Sequence, residues 1–229
     1  MIEEQRLTED RNLKPEKVSI ILARALSAIF HPLLMPTILF SILLFRAPAV
    51  LGVDTFTATF RLSLLMLIGI STFLVPAFLI YFMHRMGHVR SLHMDELRDR
   101  RLPYFLTALL YTTTTLLFTF RLSPLSDIAP EIGIVLGSVT VSVTLVGLIS
   151  LFWKISAHSV GISGMVGVLF GIAVKYSELT LLYPLLLLII LAGLLASARL
   201  HLNAHTPTQV AAGMALGLVV SLLTVVLMI

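Results

Sequence analysis

Residues 179–198 read LTLLYPLLLLIILAGLLASA, a run with no charged side chain. At 1.5 Å per residue such a helix covers about 30 Å, the thickness of a bilayer's hydrocarbon core. An isolated strand of these residues would leave backbone groups unpaired in lipid, at several kcal/mol each, and the run lacks the alternation of a barrel strand. It reads as a membrane-spanning helix. Comparable runs lie at residues 25–45, 60–83, 103–120, 132–153, 156–174 and 207–228. The expected fold is all-α: a polytopic transmembrane helical bundle of about seven spans, with a polar tail at 1–17 and a single transmembrane domain at 18–229.

The composition agrees. Apolar residues make up 58% of the chain and charged residues 12%, against roughly a quarter charged in soluble domains. Mean hydropathy is +1.01. The tail mixes signs (Glu3, Glu4, Arg6, Glu9, Asp10, Arg11, Lys14, Glu16, Lys17) and does not have the layout of a cleaved signal peptide. There is no cysteine, which excludes disulfides and thiolate metal sites. The net charge of +4 does not indicate nucleic acid, because the basic residues sit between apolar runs without interleaved aromatics. In a membrane protein such a surplus reports orientation and contact with anionic headgroups.

Three short polar clusters interrupt the apolar runs. Arg98-Asp99-Arg100-Arg101-Leu102-Pro103 closes a polar loop, Lys154-Ile155-Ser156-Ala157-His158 joins two spans, and Arg199 to Gln209 joins the last two. Two spans separate each cluster from the next, so all three belong at one membrane face. Counting Lys and Arg puts that face and the tail in the cytoplasm. Ionisable groups at such positions are functional candidates. Arg offers planar paired donors to phosphoryl oxygens. Two histidines divide the work of phosphoryl transfer, one attacking phosphorus and one protonating the leaving oxygen. Helix N-termini at Ser156 and Thr206 add N–H groups aimed at an anion. This arrangement requires no metal and no cofactor.

These residues resemble the type 2 phosphatidic acid phosphatase superfamily, membrane phosphatases related to vanadium haloperoxidases. The family's third motif is Ser-Arg, five residues, His, three residues, Asp. Here Ala198-Arg199 is followed by His205 and Gln209 at the same spacing. The second, Pro-Ser-Gly-His, corresponds to Ile155-Ser156-Ala157-His158. The first, Lys, six residues, Arg-Pro, is represented by Arg101-Leu102-Pro103, with Met94 at the lysine position. The resemblance covers residues 98–229. It implies that His205 is the nucleophile and His158 the general acid. Arg199, Ser156, the backbone at Ala157 and Arg101 would bind phosphate, with Arg98 or Lys154 replacing the missing lysine. Gln209 stands where the family has an Asp that orients and electrically supports the nucleophile. An amide can hold a tautomer but brings no charge. Ala157 in place of Gly narrows the backbone's approach to a phosphate.

The expected function is hydrolysis of a lipid phosphate or diphosphate monoester through a phosphohistidine, with the substrate entering from the bilayer. The expected location is the bacterial inner membrane, where the resembled enzymes often act at the outer face. A second reading is a weakened or inactive member that binds or moves anionic lipids. A third, ranked lowest, is a polyprenyl transferase holding Mg²⁺ through Asp95 and Asp99.

Several of these residues also have plainer readings. Thr206-Pro207-Thr208-Gln209 has the pattern of a capping box. Thr112 to Thr115 fits back-bonding or helix packing. His31-Pro32 with Pro36 marks a kink. His84, His88 and His93 read as a solvated helix end, His201 as an interfacial or supporting residue, and Trp153 and Tyr104 as interface anchors.

Overall fold

The computed structural model describes residues 17–91 and 96–229. The tail before Lys17, and with it His93, Met94 and Asp95, lies outside the described residues. The described chain forms α1 (17–29), α2 (Met35–Arg46), α3 (Ala58–Arg85), α4 (Leu97–Phe120), α5 (Pro130–Ile149), α6 (Ala157–Lys175), α7 (Leu179–His201) and α8 (Pro207–Met228). Among the described residues, six helices, α3 to α8, are long and apolar enough to cross a membrane, and α2 is a shorter apolar one. On α7, Leu186, Leu187, Ile190 and Leu194 are exposed, an apolar face that needs lipid around it. The protein is an integral membrane helical bundle.

The run at 25–45, expected as one kinked span, is instead two helices. Pro32 lacks an N–H and disfavours helical geometry at His31. The chain there turns, with the Leu34 N–H donating to the His31 carbonyl at 2.8 Å and the Leu33 N–H to His31 Nδ1 at 3.3 Å. Helix α2 has 12 residues, about 18 Å. It still runs the depth of the bundle. Met35 fits against Gly161 near the start of α6, and the Arg46 carbonyl accepts from Thr180 Oγ1 at the start of α7, 2.6 Å away.

The tightest helix pair is α6 against α8. Lipid tails are as apolar as leucine, so helices in a membrane associate through close packing of small residues. Gly213, Gly217 and Ser221 recur every fourth position on α8. A Cβ on Gly213 would lie 2.7 Å from the Ser156 carbonyl oxygen, and one on Gly217 would overlap the Val160 carbonyl. From the other side, a Cβ on Gly167 would stand 2.9 Å from the Leu218 carbonyl. This contact brings the start of α6 beside the start of α8, where the Ser156 N–H donates to the Gln209 carbonyl at 3.4 Å.

Helix α4 pairs with α5, through Thr115 and Thr140 hydroxyls 2.8 Å apart. Thr112, Thr113 and Thr114 back-bond to carbonyls four residues earlier. Helix α3 contains a π-turn at Ile70–Leu74, closed by the Val75 N–H on the Ile70 carbonyl. Pro76 removes the N–H that the Thr72 carbonyl would otherwise accept. The Tyr111 hydroxyl of α4 donates to that carbonyl instead, at 2.7 Å.

Two outcomes test this arrangement. Gly217→Val should destabilise the detergent-solubilised protein by about 1–3 kcal/mol or more through overpacking, read as a lower unfolding temperature. Gly193→Ala, where a Cβ meets nothing within 4 Å, should leave the temperature unchanged. The native chain has no cysteine, so single cysteines report topology directly. Phe152→Cys, between α5 and α6, and Leu179→Cys, at the start of α7, should react with a membrane-impermeant maleimide from opposite sides.

Candidate active site

The join from α7 to α8 is built without slack. The Asn203 N–H donates to the Leu200 carbonyl at 2.9 Å and the Ala204 N–H to the Arg199 carbonyl at 3.1 Å. This is the paired closure of a Schellman turn. Asn203 takes the left-handed conformation (φ 50°) that the turn requires, which asparagine tolerates better than most residues. His205 follows, and Thr206 caps α8. The capping box is complete: Thr206 Oγ1 accepts from the Gln209 N–H at 3.4 Å, and Gln209 Oε1 accepts from the Thr206 N–H at 3.2 Å.

Gln209 Oε1 also lies 3.2 Å from His205 Nδ1. Because the Thr206 N–H donates to this atom, it must be the amide oxygen, since an amide nitrogen has no lone pair to offer. His205 therefore carries its proton on Nδ1, and the neutral ring keeps a lone pair on Nε2. One side chain thus serves both readings of Gln209, as helix cap and as orienter of His205.

His205 is buried. Its pKa is pushed down to about 4, first by burial and then by Arg100; the Gln209 bond opposes the shift, while Arg199 and Lys154 add to it. The ring is thus neutral near pH 7. The unfolded ring binds a proton near pH 6.5 and the folded ring only near 4, so stability is lost as pH falls through that window.

His158 sits in the first turn of α6, whose N-cap is Ser156. Its Nε2 is 3.1 Å from the Ser27 carbonyl of α1. A carbonyl only accepts, so Nε2 bears a proton and Nδ1 is the position that exchanges one. Arg199 donates through one terminal nitrogen to Ser27 Oγ at 3.2 Å. Ser156 is fully buried, its hydroxyl accepting from the Ser159 N–H (3.3 Å) and hydroxyl (2.9 Å).

A cavity of about 850 Å³ opens among α1 to α6 and the α7–α8 join. Arg24, Arg100, Arg199, His31, His158 and His205 line it with polar groups, and Met35, Leu39, Ile80, Val139, Val143 and Val146 with apolar ones. Of the residues singled out from sequence, Arg199, Ala157, His158 and His205 line the cavity; Ser156, Lys154, Arg98, Arg101 and Gln209 do not. Arg98 and Arg101 are exposed, and Arg101 donates to the Leu151 carbonyl at 3.3 Å. The arginine of α4 that enters the cavity is Arg100, which is buried and donates to the Ile155 carbonyl at 3.2 Å.

Helical spacing would have found it. Arg100, Pro103, Tyr104, Thr107 and Tyr111 form one stripe on α4 and all line the cavity, whereas 98 and 101 fall off it. Tyr104, expected as an interface anchor, belongs to this stripe; Trp153 is 40% exposed. Arg24, Ser27 and His31 also line the cavity. Their only sequence signal was the His31-Pro32 break that ends α1.

Among the other polar candidates, His201 contacts Ser19 Oγ at 2.9 Å, and His84 Nδ1 donates to the Val89 carbonyl at 2.9 Å. The Asp95 and Asp99 pair of the transferase reading includes a residue outside the described ones.

The join carrying Arg199, His205 and Gln209 and the turn carrying Ser156 and His158 both lie in the part of the chain that matches a known family. Residues 138–228 match the PAP2 superfamily. The match covers α6 to α8 and most of α5, and so includes both motif histidines. The PAP2-like segment excludes α1 and α4, which supply Ser27 and Arg100. No curated protein and no solved structure gives a match.

Histidine titration tests the electrostatics. In NMR spectra of the solubilised protein, the His205 ring should titrate with a midpoint near pH 4. Gln209→Asp places a carboxylate against Nδ1 and should raise that midpoint by about 1–2 units. An unchanged midpoint in the variant would sever the link between Gln209 and His205.

Proposed function

We propose that this protein is a lipid phosphate phosphatase acting through a phosphohistidine. The observation that carries the reading is the Gln209 oxygen, which holds the proton on His205 Nδ1 and so leaves Nε2 as a nucleophile in a cationic cavity. The lining matches the substrate class. Arginines suit a phosphate, and the apolar lining of Met35, Leu39, Ile80, Val139, Val143 and Val146 suits a lipid chain.

In the proposed reaction His205 Nε2 attacks phosphorus while the bond to the lipid oxygen breaks. His158, its Nε2–H on the Ser27 carbonyl, takes a proton onto Nδ1 from the bound phosphate monoanion and gives it to the leaving oxygen. Water then attacks the phosphohistidine, giving its proton back to Nδ1, and inorganic phosphate departs. Arg100 and Arg199 neutralise charge on the equatorial oxygens. The phosphatase-type family over residues 138–228 supports this reading.

One observation favours the second reading, a protein that binds or moves anionic lipids without turnover. Gln209 cannot offset the positive charge that builds on His205 when it is phosphorylated. In a serine protease the comparable Asp-to-Asn change costs about ten-thousand-fold.

The test is phosphate release from phosphatidic acid, phosphatidylglycerol phosphate and a polyprenyl diphosphate, without added metal. Wild type should release phosphate, His205→Ala should lose at least about a thousandfold, and Gln209→Asp should keep or raise the rate. If wild type is silent and Gln209→Asp active, the binding reading replaces the enzymatic one.

A further inference from the structure

The two side chains that the proposed reaction needs from different motifs, His158 and Arg199, meet at one residue outside the PAP2-like segment. Ser27 is buried, at 8% exposure. Its hydroxyl accepts from Arg199 at 3.2 Å and its carbonyl from His158 Nε2 at 3.1 Å.

The local backbone explains how one residue does both. The last carbonyls of a helix have no intrahelical donor. Helix α1 stops at residue 29 because Pro32 follows, so the Ser27 carbonyl falls in the final turn, pointing out of the helix end. That end also carries the negative pole of the helix dipole, set against a histidine and an arginine. The serine side chain, one bond away, reaches the guanidinium. A guanidinium presents its donors as a planar fork, so fixing one terminal nitrogen sets the plane in which the others meet a phosphate.

We propose that Ser27 is a positioning residue: its hydroxyl orients Arg199 for phosphate binding while its carbonyl holds the His158 ring, which makes the end of α1 a wall of the phosphate site. This deepens the phosphatase reading and rests on it for its catalytic sense, but its first consequence is binding, which is measured without turnover.

The experiment is calorimetric titration of the detergent-solubilised full chain with inorganic phosphate, alongside thermal unfolding, for Ser27→Ala, Ser27→Val and Ser27→Thr. Thr keeps the hydroxyl, whereas Val has nearly the same shape without it. A hydrogen bond to a charged group is worth about ten- to a hundredfold in affinity, and one that acts by positioning falls at the low end. Ala and Val should therefore bind phosphate about tenfold more weakly, with unfolding temperatures close to wild type, and Thr should stay within about twofold.

Equal affinity in the Val and Thr variants would overturn the proposal, because packing would then be the whole role. Tighter binding in Ser27→Ala would also overturn it, because Ser27 would then be competing with phosphate for Arg199. A weakening that merely follows a fall in unfolding temperature would do the same. If wild type binds phosphate and the pattern holds but no lipid phosphate is hydrolysed, the positioning role stands and the enzymatic reading fails.

Discussion

Helices α6 and α8 approach so closely that a methyl group on Gly213 or Gly217 would strike the backbone of the opposite helix. Lipid gives neither helix a reason to avoid its surroundings, so this contact has to come from shape alone. What it positions is local and polar. The start of α6 lies beside the start of α8, the Ser156 N–H bonds the Gln209 carbonyl, and two helix caps share one corner. His158 follows one cap and His205 precedes the other. A wider crossing would leave both helices intact yet separate the two histidines from each other's surroundings.

The cavity lining is cationic, and two of its arginines bond to neutral groups. Arg100 donates to a carbonyl and Arg199 to a hydroxyl. Among the described residues no aspartate or glutamate lines the cavity. Charges next to hydrocarbon interact strongly because the medium screens them poorly, so these arginines act strongly on an anion that enters the cavity. Burial comes first in holding His205 neutral, and the positive charges of Arg100 and Arg199 add to it. A neutral amide at Gln209 keeps that balance unchanged with pH.

Most of the bundle was legible because a membrane leaves few options. Uncharged runs of about 20 residues could only be helices, and α3 to α8 lie where such runs lie. The capping box at Thr206 was readable for the same local reason, since its four residues interact with one another. What the sequence concealed depended on facing. Arg98, Arg100 and Arg101 look alike in a row, and only the turn of α4 decides that Arg100 points inward. The α1–α2 break was visible as a proline but read as a bend, because hydropathy averages across it. Ser27 had no signal beyond the His31-Pro32 break nearby, since its role comes from a helix end that contacts residues 131 and 172 positions away. The four-residue recurrence of Gly213, Gly217 and Ser221 was in plain view and marks the helix contact that organises the site.

Helix α2 has a mechanical consequence for the surrounding lipid. Its 12 residues cover about 18 Å of a hydrocarbon core about 30 Å thick, so the helix is shorter than that core by roughly two-fifths. Local thinning, which draws headgroups and water inward, is one way a bilayer meets such a mismatch. The shortfall falls at residues 30–34, beside His31 at the cavity wall. Thinning of that kind at residues 30–34 would shorten the descent that a lipid's phosphate makes from the interface to the cavity.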